Sequence, residues 1–170
     1  LVDRWATPHD RRLEQVPGRV VVGWCGQCRT LTDRKRLGVL LDALARARAW
    51  GIDVRLVVQG SVPDGLVRIG AEQKVPVALL PWVRDRDRTR VFTQIDLYVS
   101  PSAIEGGPLP VFEAAALWTP VATTPVGMAA DLLERGGALR LGVDDPEGQA
   151  LVFGTFAGLG AEQRAALAGQ

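Results

Sequence analysis

The sequence predicts an α/β domain, with a Rossmann-like parallel sheet of about six strands and helices on both faces. One observation is a series of short, nearly continuous apolar runs, which are typical of strands buried on both sides. A second is that segments with helical spacing of apolar residues alternate with those runs. The third is size, because 170 residues, 47% of them hydrophobic, are enough for one sizeable core.

The first strand and the first helix carry the clearest pattern. Residues 19–25 form a near-continuous apolar run, as expected for a buried parallel strand. Leucines from Leu37 to Leu44 then recur at i, i+3, i+4 and i+7 and predict a helix over residues 33–49, which Gly51 ends. The further predicted strands are residues 53–59, 75–80, 95–100, 120–123 and 138–141, and the further predicted helices are residues 64–71, 85–94, 108–118, 129–134, 146–157 and 161–169.

Composition limits the partners and the compartment. A net charge of +1 argues against a nucleic-acid surface, which normally carries a strong basic excess. No uninterrupted apolar stretch is long enough to span a membrane. The two cysteines are too few for a disulfide scaffold and suit a reducing compartment, so we expect a cytoplasmic location.

The ends of the chain indicate a piece of a longer protein. Residues 1–18 are polar and irregular and predict a linker, which leaves residues 19–170 as the folded domain. The chain begins with Leu1 rather than Met, so we expect an excised part whose localisation signals lie elsewhere. Membrane association through the missing part stays open.

Glu105 and Glu113 are the most informative acidic residues, because they flank a predicted helix start after a strand. In a sheet of this kind, ligands bind beyond the carboxyl ends of the strands. Gly106 and Gly107 let the backbone approach a ligand without a Cβ in the way. The segment therefore predicts an anion site with hydroxyl-binding groups beside it, as a nucleotide-sugar requires.

The position of the helix start follows from two prolines. Pro108 and Pro110 are tolerated in the first turn of a helix, where the N–H groups that they lack would have no partner. Glu113 is then predicted within that turn or just past it, close to amides that favour a diphosphate. Its carboxylate can accept hydrogen bonds from two vicinal hydroxyls, such as those of ribose.

Residues 96–128 resemble the donor-binding signature of retaining glycosyltransferases with the GT-B fold, especially the family numbered four. The matching elements are Asp-Leu-Tyr-Val-Ser-Pro-Ser at 96–102, Glu-Gly-Gly-Pro at 105–108, Glu-Ala at 113–114, Pro-Val-Ala at 120–122 and Val-Gly at 126–127. The resemblance extends over roughly residues 19–155. It implies the C-terminal, donor-binding half of a GT-B fold.

The resemblance implies two catalytic residues. Glu105 would hold hydroxyls of the donor sugar near the reacting carbon. Lys35 would neutralise the diphosphate, because residues 35–44 resemble the Lys-Gly-x-x-x-Leu-x-x-Ala-Leu segment of the family. The other residues that the resemblance implies bind the donor: Glu113 the ribose, Gly106, Gly107, Pro108 and Leu109 the sugar and phosphates, and Trp82 and Val83 the base.

The chain departs from the family at the second cationic side chain that binds the diphosphate. The family usually has Arg directly after the glycine that ends the first strand, but Gln27 follows Gly26 here. Arg29 is the nearest substitute and Arg34 the second, in a loop that is longer than usual.

The resemblance also implies the reaction and its partners. The donor would be a nucleotide diphosphate sugar, most simply UDP- or GDP-linked. Its sugar would be transferred with retention, without a metal or another cofactor, because cationic side chains stabilise the leaving diphosphate. The acceptor, a glycan, a lipid or a small molecule, would bind an N-terminal domain that this chain lacks, so the chain alone is expected to be inactive.

Other functions stay open as alternatives. One is a nucleotide-sugar-binding module without turnover, which the Gln27 departure favours. Another is a thioredoxin-like redox protein, because Trp-Cys-Gly-Gln-Cys at 24–28 matches that active-site string. Asp85 and Asp87 match the Asp-x-Asp of metal-dependent glycosyltransferases, although neighbouring arginines favour local ion pairs there. Zinc is a weak alternative, since one cysteine pair and His9 do not supply four ligands.

Overall fold

A computed structural model describes residues 18–80 and 89–168 of the chain. The strands are β1 (Arg19–Gln27), β2 (Asp53–Ser61), β3 (Val77–Leu80), β4 (Leu97–Ser100), β5 (Val121–Thr123) and β6 (Leu139–Arg140). The helices are α1 (Leu37–Ala49), α2 (Leu66–Glu72), α3 (Leu109–Ala116), α4 (Ala129–Glu134), α5 (Pro146–Gly158) and α6 (Ala161–Ala168), and a 3-10 helix covers Thr89–Gln94.

The six strands form one parallel sheet in the order β3-β2-β1-β4-β5-β6. The predicted fold class is therefore confirmed. The chain runs outward from β1 to β3, returns to the other side of β1 as β4, and then runs outward again. The carboxyl ends of β1 and β4 consequently border the crevice in which doubly wound sheets bind their ligands.

Alternating side chains of β1 face two separate cores. Val20, Val22 and Trp24 pack with α1 and α5 on one face of the sheet. Cys25 packs on the other face, with the 3-10 helix, α3 and the buried Tyr98 of β4. Helices thus cover both faces, as the apolar runs of the strands require.

The predicted element bounds need correction at several ends. The first helix begins at Leu37 rather than at residue 33, because Arg36 adopts a left-handed conformation with a φ of 53°. β1 extends to Gln27, because Gly26 and Gln27 still pair with Gly60 and Ser61 of β2. In place of the C-terminal part of the charged helix predicted over residues 85–94, the structure has the 3-10 helix, and residues 85–88 lie outside the described residues.

Two further expectations concern the ends of the chain and the membrane. The predicted linker, apart from Gly18, lies outside the described residues. None of the helices in the described part of the chain is both long enough and apolar enough to span a membrane.

Candidate functional site

Three loops meet at the crevice between β1 and β4. They are residues 28–36 after β1, 101–108 after β4 and 124–128 after β5. The Ala103 amide donates to the Arg34 carbonyl at 2.8 Å and joins the first two loops, and the Met128 amide donates to the Gly106 carbonyl at 3.1 Å and joins the last two. The backbone itself therefore joins the loops that carry Arg34, Glu105 and Gly106.

Glu105 lies at the centre of this crevice and contacts two cations. Lys35 Nζ forms an ion pair with Oε1, and Arg34 Nη1 lies 3.1 Å from Oε2. The Ser102 hydroxyl donates to Oε1 at 3.2 Å. The side chain of Glu105 is 9% exposed and that of Lys35 is 17% exposed, so water screens this pair poorly. The structure thus brings together both of the residues predicted to be catalytic.

Opposing influences act on the pKa of Glu105. Burial raises it, but the hydrogen bond and charge of Lys35, the charge of Arg34 and the Ser102 hydroxyl lower it more strongly, so it lies below its ordinary value. Glu105 is therefore an anion at neutral pH. An ionised carboxylate is an acceptor only, which suits it to sugar hydroxyls.

The two candidates for the second cation differ in their contacts. Arg34 contacts Glu105 and also donates to the Ile104 carbonyl at 3.3 Å. Arg29 is exposed, and the ion pairs that Glu105 forms within the described residues are with Arg34 and Lys35. Both arginines line an open pocket of about 540 Å³, together with Gln27, Cys28, Asp33 and Ser61.

Asp33 is a residue of this site that sequence reasoning missed. Its Oδ1 accepts the Lys35 amide and its Oδ2 accepts the Arg29 amide, both at 2.8 Å. The sequence offered Asp33 only as the start of the first helix. The signal that could have indicated another role is its place between the two cationic residues of an unusually long loop.

The glycines of the site fall into two classes. A Cβ on Gly127, which has a φ of 51°, would clash with the carbonyls of Glu105 and Gly106, so the fold requires glycine there. A Cβ on Gly106 would meet no atom within 4 Å, and one on Gly107 would meet only Met128 Sδ at 3.4 Å. Neither Gly106 nor Gly107 has a left-handed φ, so the fold does not require glycine at either position.

The start of α3 offers fewer amides than the sequence indicated. Pro108 and Pro110 have no N–H, and the Leu109 and Val111 amides donate at 2.9 Å to the carbonyls of Gly107 and Pro108. Among the described residues, none accepts a hydrogen bond from the amides of Gly106 and Gly107, both of which are exposed. The amides open to a ligand are thus those of the glycines, just before the helix.

Glu113 lies one position past the first turn of α3, which agrees with its predicted place. Burial raises the pKa of the Tyr98 hydroxyl well above its ordinary value, and the charges of Cys25, Glu113 and Glu105 add to the rise. Both carboxylates are therefore within electrostatic range of one buried hydroxyl.

The cysteines do not have the geometry of a redox pair. Cys25 and Cys28 pack in the cores on opposite faces of the sheet, and no disulfide joins them. Burial raises the pKa of the Cys28 thiol to about 11, and the Asp33 carboxylate adds to the rise, whereas a reactive thiolate needs a lowered value. α1 begins only at Leu37, too far along the chain to stabilise either thiolate.

Several predicted residues cannot be placed. Trp82 and Val83, predicted to contact the base, lie outside the described residues, as do Asp85, Asp87 and His9. Within residues 18–80 and 89–168, no group of three or more His, Cys, Asp or Glu side chains is arranged to hold a metal ion.

Comparison with known families decides the family. Residues 19–152 match the family described as glycosyl transferases group 1. The chain belongs to this family. No curated protein sequence matches the chain.

Three solved structures share this fold. Anabaena HepE, solved with UDP and glucose, is 23% identical with a TM-score of 0.71, over 96% of this chain and 46% of the HepE chain. The catalytic domain of cholesterol-α-glucosyltransferase from Helicobacter pylori is 14% identical with a TM-score of 0.73, over 91% of this chain and 94% of that one. A mutant of S. aureus TarM, solved with UDP, fondaparinux and α-GlcNAc-glycerol, is 14% identical with a TM-score of 0.69, over 97% of this chain and 33% of TarM. The chain therefore spans less than half of HepE and of TarM.

Proposed function

We propose that this chain is the donor-binding half of a glycosyltransferase and binds a nucleotide diphosphate sugar in the crevice between β1 and β4. The observation that carries the proposal is the contact of Glu105 with Lys35 and Arg34 at the carboxyl edge of the sheet. Cations that can hold a diphosphate adjoin a carboxylate that can hold sugar hydroxyls. The reacting end of a nucleotide-sugar has a diphosphate next to a sugar, so these neighbouring groups match both parts of such a ligand.

The arrangement supports departure of a diphosphate. Cleavage of the bond between the anomeric carbon and the phosphate oxygen leaves negative charge on the diphosphate and positive character on the sugar. Lys35 and Arg34 are already in place before the reaction. They can therefore stabilise the leaving group without reorganising during catalysis. Arg29, beside them, adds to the positive potential. With these cations at the leaving group, the proposed transfer requires no metal.

Gly106 and Gly107 support a bound ligand independently of the charges. Since nothing in the described chain fills the space of their missing Cβ atoms, that space is open to a ligand. Their exposed amides can donate to phosphate or sugar oxygens. Glu113 then holds the ribose hydroxyls, by its place just past the first turn of α3.

The finer parts of the proposal rest on resemblance to relatives. We propose UDP or GDP as the nucleotide, and UDP is the nucleotide in the HepE and TarM structures. Transfer with retention follows the family-four resemblance of the 96–128 segment. The acceptor binds a second domain that this chain does not contain. A cytoplasmic location agrees with two cysteines that form no disulfide.

A nucleotide-sugar-binding module without turnover is a second candidate, favoured by Gln27 at the position of the usual Arg. Arg34 weakens that argument, because it supplies a cation against Glu105 from another place in the loop. Transfer by a longer chain that contains both halves, with donor binding intact, would exclude the inactive module.

Isothermal titration calorimetry of the chain with UDP-, GDP- and ADP-sugars tests donor binding. Glu113→Ala is expected to weaken the preferred ligand about 10- to 100-fold, which corresponds to the loss of a hydrogen bond to a charged group. Glu162→Ala is the matched control, because Glu162 is exposed on α6, which contacts the amino end of β1 through Arg164. Absence of binding to every nucleotide would contradict the proposal.

A further inference from the structure

We propose that Asp33 is a positioning residue that holds the loop after β1 in the one shape in which Lys35 contacts Glu105. The consequence for donor binding rests on the proposed function. The consequence for the Lys35–Glu105 contact does not.

The carboxylate of Asp33 spans the loop from one cationic residue to another. It accepts the Arg29 amide and the Lys35 amide with different oxygens, each at 2.8 Å, and the Cys28 thiol lies 3.5 Å from Oδ1. Hydrogen bonds from amides to a carboxylate are charge-assisted and stronger than neutral ones. Asp33 therefore fixes the backbone on both sides of Arg34.

The backbone of Asp33 extends the same arrangement toward α1. Its carbonyl accepts the Arg36 amide at 2.9 Å and Arg36 Nη1 at 3.1 Å. Arg36 in turn forms an ion pair with Asp144 at 2.6 Å in the loop after β6. Among the described residues, no side chain caps α1, whose N-cap Arg36 is left-handed, and the Asp33 carbonyl is one of the groups that hold the backbone ahead of the helix.

The charges in this loop are a reason for such an anchor. Arg34, Lys35 and Arg36 are consecutive cations and repel one another. Ion pairs separate them: Arg34 and Lys35 contact Glu105, and Arg36 contacts Asp144. The direction in which Lys35 leaves the backbone is set at its amide, and that amide is the one that Asp33 holds.

Asp33 is ionised when it accepts these hydrogen bonds. Burial raises its pKa, but the amides of Lys35, Arg29 and Thr30 and the Cys28 thiol together lower it more strongly, so it lies below its ordinary value. A carboxylate in this state accepts with both oxygens at neutral pH. Asn in its place would have one acceptor oxygen, which could accept only one of the two backbone amides in this geometry. Its NH₂ group would face the other amide, and two donors do not form a hydrogen bond.

The test is the pKa of Glu105 in Asp33→Ala and in the isosteric Asp33→Asn, measured by ¹³C NMR of the carboxyl group. Removal of a nearby negative charge by itself lowers the pKa of Glu105. Loss of Lys35 from Glu105 raises it, because Lys35 is its strongest favourable partner. The proposal predicts a rise in both variants, smaller in Asp33→Asn. A pKa that is unchanged or lowered would overturn it.

Asp64→Ala is the matched control, because Asp64 is exposed in the loop after β2 at the same edge of the sheet. It removes one negative charge there without removing the hydrogen bonds of the loop after β1. It is expected to leave the pKa of Glu105 unchanged or slightly lowered. A rise like that of the Asp33 variants would show that the effect is not specific to Asp33.

Calorimetry with UDP supplies the second arm. Asp33→Ala is expected to weaken UDP binding about tenfold in the wild-type background. It is expected to have little further effect in Lys35→Met, because both changes remove the same interaction, that of Lys35 with UDP. Equal weakening in both backgrounds would show that Asp33 does not act through Lys35. Failure of the wild-type chain to bind UDP or any other nucleotide would overturn the proposed function, and the NMR arm would still decide the role of Asp33.

Discussion

At the scale of single residues, the ion pairs of Glu105 with Lys35 and Arg34 join two loops that are far apart in the chain. Resemblance indicated Glu105 and Lys35 separately, one for the sugar and one for the diphosphate. Their direct contact depends on how the loop after β1 folds, and no periodic pattern describes a loop. The choice between Arg29 and Arg34 was open for the same reason, because loop length changes which side chain reaches the crevice.

The ionised Glu105 predicts a pH dependence of stability. Since its folded pKa lies below its ordinary value of 4.5, its ion pairs stabilise the fold above that pH and lose their contribution as pH falls through the folded value. Glu105→Gln is expected to cost about 1–3 kcal/mol at pH 7, where Lys35 and Arg34 lose a charged partner. The difference from wild type should shrink below pH 4.5.

Urea unfolding of both proteins between pH 3 and 7 measures that difference, since each midpoint reports the free energy of unfolding (roughly linear in denaturant). Other acidic groups titrate equally in both and cancel. Glu162→Gln, on exposed α6, is the control and should show no such dependence. A difference that stays constant from pH 7 down to 3 would show that Glu105 is not held as an anion.

At the scale of elements, the strands and most helices follow from apolar spacing, whereas the start of α1 does not. Asp33 looked like the first residue of that helix, because Asp is a favourable cap. Its carboxylate instead binds amides before and after it in the loop, and left-handed Arg36 delays the helix to Leu37. These contacts lie within four residues of Asp33, but they follow no periodic spacing of apolar residues, so the pattern that predicts helices does not show them.

The two classes of glycine give a prediction for the loops of the site. Gly127→Ala should destabilise the fold by about 1–3 kcal/mol, because its φ is left-handed and its Cβ would clash with the Glu105 and Gly106 carbonyls. Gly106→Ala should change stability by no more than about 0.5 kcal/mol. It should nevertheless weaken nucleotide-sugar binding by about tenfold, because the methyl group occupies ligand space.

Thermal unfolding and calorimetry of the two variants separate these effects. The account requires that Gly106→Ala lose affinity at nearly unchanged stability. Full affinity in Gly106→Ala would mean that the open space beside Gly106 is not used by the donor. Unchanged stability in Gly127→Ala would mean that the loop after β5 does not support the crevice.

At the scale of the whole molecule, strand order creates the site. The sequence predicted a ligand beyond the carboxyl ends of the strands, but not which loops are neighbours there. The order β3-β2-β1-β4-β5-β6 places the cations after β1 directly beside the carboxylate and glycines after β4. Neither loop alone combines groups for a diphosphate with groups for a sugar. Apolar runs do not encode their own lateral order, so this juxtaposition required the structure.

The most direct test of a donor site at this crevice is a titration of UDP into the ¹⁵N-labelled chain, followed by amide chemical shifts. The largest changes are expected at Gly106, Gly107 and Lys35. Lys74, exposed in the turn between α2 and β3 at the opposite edge of the sheet, should change little. Changes confined to that opposite edge, or none at saturating UDP, would contradict a donor site at the crevice.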